Sequence, residues 1–546
     1  AAPDKPWTPD DSTIALWHLD ELVEQKRFDD ASPQKNAALL GDSAVANPGP
    51  ARSTASTNKI EGHWGEDAIG FRWTEADSRD DRVGKVDSGP FFSGSVTGAG
   101  GPVYKGIVVR LGDQREASIL YDTELLRVAA GWNGFLKFDP ARFGVIVPPR
   151  IDGTVTFSTP RFPGVSLQEQ FSNFREANPY GPLPKSVAHY EGLFRQGQRV
   201  VLKYSVGTGS AEAGGEQSRT MIHESPWLEQ QADVKVITRT LRIEPSSVPI
   251  RLMVADAAAK VRLHPRSESA SLIEQAGIGR VLVIAPHSKP VVIKLLSGSS
   301  DTNEAAMDTI VAASPAPEDL IALTQPGPRL WGEPLVTRGE LAKPDPAAEA
   351  NQFPYVVDTL TLPFENRFNA LFFCGGHDFF QDGRAAVCNL HGDVWLVDGI
   401  DATLDRLTWR RFATGLFQPL GLKIVDNRVY VVGRDQITRL RDLNNDGEAD
   451  VYENFNNDAH VTLNGHEYVT CLETDRAGNF YYVKGNCNSQ TPHDGSVLRV
   501  SKDGSKLDVF ATGFRNSNGI GMGPNDELTV APQEGEWTPA SAVFLV

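Results

Sequence analysis

A phrase of this chain occurs twice in the same register. Phe412-Ala413-Thr414-Gly415 is followed by Pro419-Leu420-Gly421-Leu422, and about 98 residues later Phe510-Ala511-Thr512-Gly513 is followed by Ser517-Asn518-Gly519-Ile520. A repeat of this length is typical of two blades of a β-propeller, in which each blade is a four-stranded sheet. Because blades surround one axis, their loops converge there. The repeat therefore predicts where a ligand would bind as well as how the chain folds.

Short apolar runs separated by turn residues predict blades over 353–546. Examples are Val394–Val397, Val429–Val432, Phe480–Val483 and Val497–Val500, joined by Asp-Gly, Asp-Asn and Gly-Asn turns. We count about four blades, fewer than closed propellers commonly have. Since the sequence ends at Val546 inside an apolar run, we expect a propeller that is incomplete at its C-terminal end.

The remaining sequence predicts an all-β protein, with β-sandwich-like domains before the propeller. Residues 1–80 form a β-rich segment whose opening strand, Thr13–Asp20, resembles laminin-G sandwiches, which implies carbohydrate binding as one possible role. Residues 81–323 contain strand-like runs such as Val234–Leu241, in which apolar and polar residues alternate. Residues 324–352 are rich in Pro, Ala, Glu and Lys and predict an extended linker.

Composition excludes some classes of partner. The 546 residues are 40% hydrophobic, enough for several cores, and the length predicts three or four domains. The formal charge is −17 and the sequence pI is near 5.2, which disfavours nucleic acid and anionic membranes as the main partner. No apolar run approaches the roughly 18 residues of a membrane-spanning helix, so we expect no membrane span.

Four cysteines bear on the compartment. Cys374 and Cys388 are separated by roughly one strand-turn-strand, as are Cys471 and Cys487, so a disulfide in each pair is geometrically plausible and would favour an oxidising compartment. Four free thiols are the alternative. The chain has no Cys-x-x-Cys-His, so we expect no c-type haem within it.

The segment from residue 442 to 453 matches a twelve-residue calcium loop. Its candidate ligands are Asp442, Asn444, Asp446, Glu448 through its backbone carbonyl, Asp450 and Glu453. Oxygens at alternate positions can converge on one ion, Gly447 permits the sharp turn, and a final glutamate can bind with both oxygens. We predict Ca²⁺ in a structural role between blades, with a solvated acidic turn as the alternative.

A second constellation occupies the last part of the chain. His466 precedes Asn479–Gly485, which is followed by Gly495–Val500, Gly513–Gly519 and Gln533–Gly535. In this order the segment from about 366 to 546 resembles the soluble quinoprotein glucose dehydrogenases and their aldose and sorbosone relatives. The resemblance implies a β-propeller, the cofactor pyrroloquinoline quinone (PQQ) and a sugar or small polyol substrate.

The resemblance also implies roles for individual residues. His466 would be the base that takes the hydroxyl proton, since a neutral imidazole can do so near pH 7. Arg515 and Asn516 would hold the cofactor, because a guanidinium can grip a carboxylate with two bonds and an amide can both donate and accept. Gln533 and Gly535 belong to the turn that follows in those enzymes.

Part of the preceding region carries another resemblance. Ser88–Ser93, Tyr121–Arg127 and Ala129–Trp132 resemble a β domain of unassigned function in large secreted bacterial proteins that often carry a propeller and a c-type haem domain. The resemblance covers roughly 80–360 and implies a periplasmic or secreted protein with a c-type cytochrome domain or subunit as electron partner. A non-catalytic carbohydrate- or protein-binding propeller with structural calcium is the alternative to a dehydrogenase.

Overall fold

The structure is a computed structural model that describes residues 81–172, 179–207, 219–342, 358–485, 491–533 and 541–546. It also describes two short paired strands, β1 (Arg27–Phe28) and β2 (Ala38–Leu39). The predicted strand Thr13–Asp20 lies outside the described residues. The described chain is all-β, as predicted, and its sheets are built from antiparallel neighbours.

The first sheet is an antiparallel meander of five strands. They are β3 (Phe91–Val96), β4 (Val103–Leu111), β5 (Ala117–Asp122), β6 (Arg127–Lys137) and β7 (Arg150–Ser158). Most side chains of β3 to β5 are buried on both faces, including polar ones such as Ser93, Lys105 and Ser118.

Ten strands and two helices follow. The strands are β8 (Val165–Ser166), β9 (Ala188–Gln196), β10 (Arg199–Gly207), β11 (Arg219–Gln231), β12 (Val234–Ile243), β13 (Ile250–Ala255), β14 (Lys260–His264), β15 (Ala270–Gln275), β16 (Gly279–Ile284) and β17 (Val291–Gly298). Helix α1 (Glu304–Ala313) begins at Asn303, whose side chain accepts from Ala305 N, and α2 (Leu320–Leu323) begins at Asp319. Met307 and Ile310 of α1 pack on Val236 and Leu296.

The described part of the predicted linker is packed. A short strand, β18 (Leu335–Thr337), follows Trp331, which is buried against Phe368, Trp395 and Trp409. Residues 343–357 lie outside the described ranges.

Four successive antiparallel meanders then correspond to the predicted blades. Blade I contains β19 (Cys374–Phe379), β20 (Ala385–Asn389), β21 (Val394–Asp398) and β22 (Leu407–Ala413), and blade II contains β23 (Gly421–Val425), β24 (Arg428–Val432), β25 (Ile437–Arg441) and β26 (Val451–Asn456). Blade III contains β27 (Val469–Thr474), β28 (Phe480–Lys484), β29 (Ser496–Val500) and β30 (Leu507–Thr512). Blade IV contains β31 (Ser517–Met522), β32 (Leu528–Pro532) and β33 (Phe544–Leu545). The strand β18 adds to the outer edge of blade I by pairing with β22.

The repeated phrase marks the same position in blades I and III. Phe412 lies in β22 and Phe510 in β30, the fourth strand of each meander, with blade II between them. After each fourth strand the chain turns over the loop between the second and third strands of its own blade. Leu416 N donates to Gly392 O at 3.2 Å, and Phe514 N donates to Gly495 O at 3.0 Å.

Blade II shares a sheet with the region before the blades. Its fourth strand, β26, pairs with β9, and the resulting sheet has the order β14-β17-β12-β11-β10-β9-β26-β25-β24-β23. Residues 67–341 and 358–546 accordingly form one compact unit. A single core joins apolar residues of both parts, from Phe91 and Ile237 to Leu396 and Tyr452.

The first strands of blades I to III pack directly against one another. Glycines make this close approach possible, since a Cβ on Gly376 would lie 2.3 Å from Leu422 N and one on Gly421 would lie 2.4 Å from the Cys471 carbonyl. Cys471 N donates to Leu420 O at 3.3 Å. The first strands of these three blades therefore meet backbone to backbone.

The cysteines that the structure describes are free thiols. The predicted Cys374–Cys388 bridge is not formed, and burial raises the pKa of the Cys388 thiol to about 12. Cys471 is also free, and Cys487 lies outside the described residues. Among the helices that the structure describes, none has the length and apolar character needed to cross a bilayer.

Candidate functional site at the blade face

One end of the blades gathers the loops that carry the predicted site. In an antiparallel meander, the loop between the second and third strands lies at the same end as the connection to the next blade. Contacts between these loops agree with this arrangement, since Arg434 N donates to Phe417 O at 2.9 Å and Gly485 N donates to Tyr468 O at 2.8 Å. We call this end the blade face.

Three parts of the predicted constellation meet around Gly485. Gln533 N donates to Asn516 O at 3.0 Å. A Cβ on Gly485 would lie 2.3 Å from Asn516 Oδ1 and 3.1 Å from Arg515 O, so the turn that carries both residues rests on this glycine. Gly485 in turn pairs with Tyr468, two residues after His466.

Two further predicted residues are His466 and Gly535, of which the structure describes only His466. His466 is half-buried at the start of blade III, where its backbone N–H donates to Asn464 Oδ1 at 3.0 Å. Gly535 lies outside the described residues. The structure thus brings Asn516, Gln533 and the segment after His466 to one place on the blade face.

A buried ion cluster that sequence reasoning missed lies next to this place. Glu467 directly follows His466, and its carboxylate pairs with Lys484 Nζ and lies 3.5 Å from Arg434 Nη2. Thr462 donates to the same carboxylate through both its N–H and its hydroxyl, each at 2.7 Å. Lys484 also lies 3.7 Å from Asp494. Burial lowers the pKa of Lys484, and Glu467 opposes that shift.

No local pattern signals this cluster. Glu467, Lys484 and Arg434 come from three different loops or strands, and each is nearly inaccessible to water. A buried charge is expected to be paired, but the sequence does not state which charges are buried. The sequence signals are limited to the position of Glu467 next to His466 and that of Lys484 at the end of the Phe480–Lys484 strand.

The five-stranded sheet covers part of the blade face. Lys105 of β4 is buried and donates through Nζ to Asn457 O at 2.6 Å and to Ala459 O, both in the connection between blades II and III. Burial raises the pKa of Asp435 to about 6, and Lys105 opposes this effect. A residue from the region before the blades therefore helps to hold the loop that leads to His466.

Two histidines stack close to this contact. The ring centroids of His460 and His493 are 4.3 Å apart, and His460 N donates to His493 Nδ1 at 3.0 Å. Burial, followed by the effects of His460 and Lys484, lowers the pKa of His493 to about 3. His493 is therefore neutral at physiological pH and serves as an acceptor.

The predicted calcium loop has a compact conformation. Asp442 accepts from Asp446 N at 3.2 Å and from Gly447 N at 2.8 Å, and Asp450 accepts from Leu443 N at 2.8 Å. Asn445 and Gly447 have φ values of 57° and 86°, which the winding of the loop requires.

Two of the predicted ligands have other side-chain partners. Glu448 is buried, and its carboxylate accepts from Leu330 N at 2.7 Å and Trp331 N at 2.9 Å; the predicted ligand at this position is its backbone carbonyl. Glu453 forms a two-bond ion pair with Arg439, so its carboxylate is directed to that guanidinium. Among the described residues, no three His, Cys, Asp or Glu side chains form a group that could hold a metal ion. A calcium site here would depend on amide and carbonyl oxygens together with carboxylates.

One family model matches this chain. It is DUF6797, a domain of unknown function, and it matches residues 119–212. No curated protein matches the chain. The matched segment runs from β5 to beyond β10 and includes Glu124, which lies 3.9 Å from Lys105, and β9, which pairs with blade II. The segment of unassigned function is therefore built into the same unit as the blade face.

Proposed function

We propose that this chain is part of an exported dehydrogenase that oxidises a sugar or small polyol at the blade face. The observation that carries the proposal is the meeting of Asn516, Gln533 and the segment after His466 around Gly485. The segment that carries His466 and the turns that carry Asn516 and Gln533 are about 20 to 70 positions apart in the sequence and adjoin there, and a dehydrogenase of this kind needs a base and hydrogen-bond donors in one place.

The chemistry of these donors fits PQQ, which carries carboxylates and quinone oxygens. Arg515 would grip a carboxylate, while Asn516 and Gln533 supply amide groups. When bound, PQQ accepts the two electrons of a hydride removed from a hydroxyl-bearing carbon. His466 would take the hydroxyl proton, and the buried Glu467 beside it would keep its loop in a fixed position through Thr462. Electrons would then pass to a c-type cytochrome domain or subunit in the periplasm or outside the cell.

The test loads the full protein with Ca²⁺ and PQQ and measures dye reduction on a panel of aldoses and polyols. His466→Ala should lower turnover by about 100-fold or more, the usual contribution of a general base, while PQQ still binds. The matched control is His377→Ala, since His377 is exposed in β19 and should tolerate the change.

A second readout does not depend on turnover. Arg515→Lys keeps the charge but loses the two-bond geometry, so a spectroscopic titration should show PQQ binding weakened by about tenfold or more. Absence of both a spectral change on adding PQQ and turnover in the full-length protein would refute the proposal.

Two observations favour the competing function, a binding platform without catalysis. The first strands of blades I to III meet backbone to backbone, and the ion cluster of Glu467, Lys484 and Arg434 fills space beside His466. On that alternative, glycan-array binding would be observed without PQQ binding, and the calcium loop would have a purely structural role.

A further inference from the structure

A cavity lies between the five-stranded sheet and the loops of blades I and II. Together with its mouth it encloses about 700 Å³. One side is formed by β3 and by residues 144–149, and the other by residues 390–391 and 416–418 and by Arg434. Neither His466 nor Arg515 contributes to its lining, and the cavity shares only Arg434 with the ion cluster beside His466.

Aromatic side chains provide much of the cavity wall. Phe92, Phe135, Phe138 and Phe417 all line it, and the Phe92 and Phe138 rings meet edge to face at 5.4 Å. A concave, mostly apolar space with a few polar groups is the usual form of a small-molecule site.

Two buried polar atoms at this cavity have no hydrogen-bond partner among the described residues. They are Ser88 Oγ and Arg434 Nε, and both side chains are more than nine-tenths buried. The other end of Arg434 is held by Asn464 O at 2.8 Å, and its guanidinium stacks on Phe417 at 5.0 Å. Because an unsatisfied buried donor costs about 1–3 kcal/mol, two such atoms on residues that line one cavity favour a ligand that supplies an acceptor.

A strained residue fastens the two sides of the cavity together. Gln418 has a φ of 45°, a conformation that non-glycine residues seldom adopt. Its Nε2 donates to Val145 O at 3.2 Å, and its Oε1 accepts from Arg434 Nη1 at 3.3 Å. Backbone strain of this kind is concentrated at ligand sites, where the surrounding structure maintains it.

We propose that this cavity binds a small aromatic or alicyclic molecule that carries an oxygen acceptor, a carbonyl or a carboxylate, at one end. The apolar body contacts the phenylalanine rings. The oxygen of the ligand accepts hydrogen bonds from Arg434 Nε and Ser88 Oγ. The segment matched by DUF6797 supplies Val145 and its neighbours to this site, which gives that segment a ligand-binding role.

The probes are 1-anilinonaphthalene-8-sulfonate and N-phenyl-1-naphthylamine, which share an apolar body but differ in the sulfonate acceptor. The folded full-length protein should bind the sulfonate probe saturably, at one site, and at least about tenfold more tightly than the uncharged probe. Val147→Trp should weaken binding by about tenfold or more, because Val147 is 43% exposed at the cavity and tryptophan would fill the opening. Val336→Trp is the matched control, since Val336 of β18 is 53% exposed and lies outside the cavity lining, and it should leave binding unchanged.

A second variant tests the polar end. Ser88→Ala removes a hydroxyl without a described partner, so folding should be preserved while the preference for the sulfonate probe falls by about threefold or more. Ser88→Leu fills the same cavity from another side and replaces Val147→Trp if that variant fails to fold. The proposal is overturned if binding is not saturable or if the filling variants bind as the wild type does. Equal affinity for the two probes would also overturn it. His466→Ala should bind the sulfonate probe normally, which separates this result from that of the dehydrogenase test.

Discussion

Glu467 is the residue on which the local structure of the blade face most depends. Its carboxylate is inaccessible to water and is compensated by Lys484, Arg434 and both donors of Thr462. Such a cluster is stable only while each charge keeps its partner, because an uncompensated charge in the interior is far more costly than an exposed one.

Lys484→Met should lower the free energy of unfolding by about 3–5 kcal/mol, since it leaves Glu467 and Asp494 buried with less compensation. Denaturant titration measures the loss. The matched control is Lys423→Met, whose pair with Glu473 is partly exposed and should contribute less than about 1 kcal/mol. Equal losses for the two variants would contradict the prediction.

Asp435 predicts a dependence of stability on pH. Burial raises its pKa from 3.8 to about 6, so the folded chain binds this proton more tightly than the unfolded chain does. The contribution of Asp435 to the free energy of unfolding is therefore greatest below pH 3.8 and decreases as the pH rises toward 6. Asp435→Asn removes this loss, so the free energy of unfolding of the variant should exceed that of the wild type by about 1 to 3 kcal/mol between pH 4 and pH 7. Unfolding curves measured across this range test it, and a pH-independent difference between the two proteins would refute it.

At the scale of elements, the loop before β26 is the most specific local prediction. Its backbone turns sharply at Asn445 and Gly447, and Glu453 belongs to strand β26 and pairs with Arg439 of β25. The sequence spacing alone could not distinguish these two roles for the glutamate, because both use the same position relative to Asp442.

Calcium should raise the melting temperature, and chelation should reverse the rise. At a calcium concentration 100 times the dissociation constant, the gain would be about 2.7 kcal/mol. Asp446→Asn should abolish most of the rise, because Asp446 is a predicted ligand. Glu453→Gln should preserve it, because the Glu453 carboxylate is engaged by Arg439. Thermal unfolding with calcium or with a chelator measures the effect of each substitution. If Glu453→Gln abolished the rise in melting temperature, Glu453 would be a calcium ligand and the prediction would be wrong.

Much of the strand content was predictable because strand signals are local. Runs such as Val234–Leu241 and Val429–Val432 alternate or remain apolar over a few residues and end at turn residues, and the structure has strands at both. The repeat shared by blades I and III was predictable because the chain turns after the fourth strand of each at a glycine with a positive φ, Gly415 or Gly513.

The partners of these elements were not predictable in the same way. The pairing of Glu467 with Lys484 depends on which side chains are buried after folding, and the sequence carries no local sign of it. Trp331 occurs in a stretch whose Pro and Ala content predicts an extended linker, yet it packs on blade I because Glu448 holds its backbone N–H.

At the scale of the whole molecule, the pairing of β9 with β26 is the decisive contact. Gly192 lies at the junction with a φ of 132°, and a Cβ there would be 2.4 Å from Tyr452 O. Because this contact is central to the ten-stranded sheet, we expect the region before the blades and the blades themselves to unfold together.

Gly192→Ala should therefore lower the free energy of unfolding by about 2 kcal/mol or more, through both the clash and the backbone conformation. Hydrogen exchange should show that amides of β10 and β25 lose protection to a similar extent. Gly197→Ala is the matched control: it also has a positive φ, but open space surrounds its Cβ position, so only about 1–2 kcal/mol should be lost. Loss of protection confined to β10 would show that the two parts unfold separately.

The shared sheet also limits how the matched segment can be studied in isolation. Cut away from blade II, β9 would expose the backbone groups of Gly192 to Phe194, which pair with Val451 to Glu453 in the whole chain, and unpaired strand edges readily recruit strands from other copies. Expression of residues 119–212 alone should therefore give dimers or aggregates, because the fragment would also lack β11 and β4, which pair with β10 and β5.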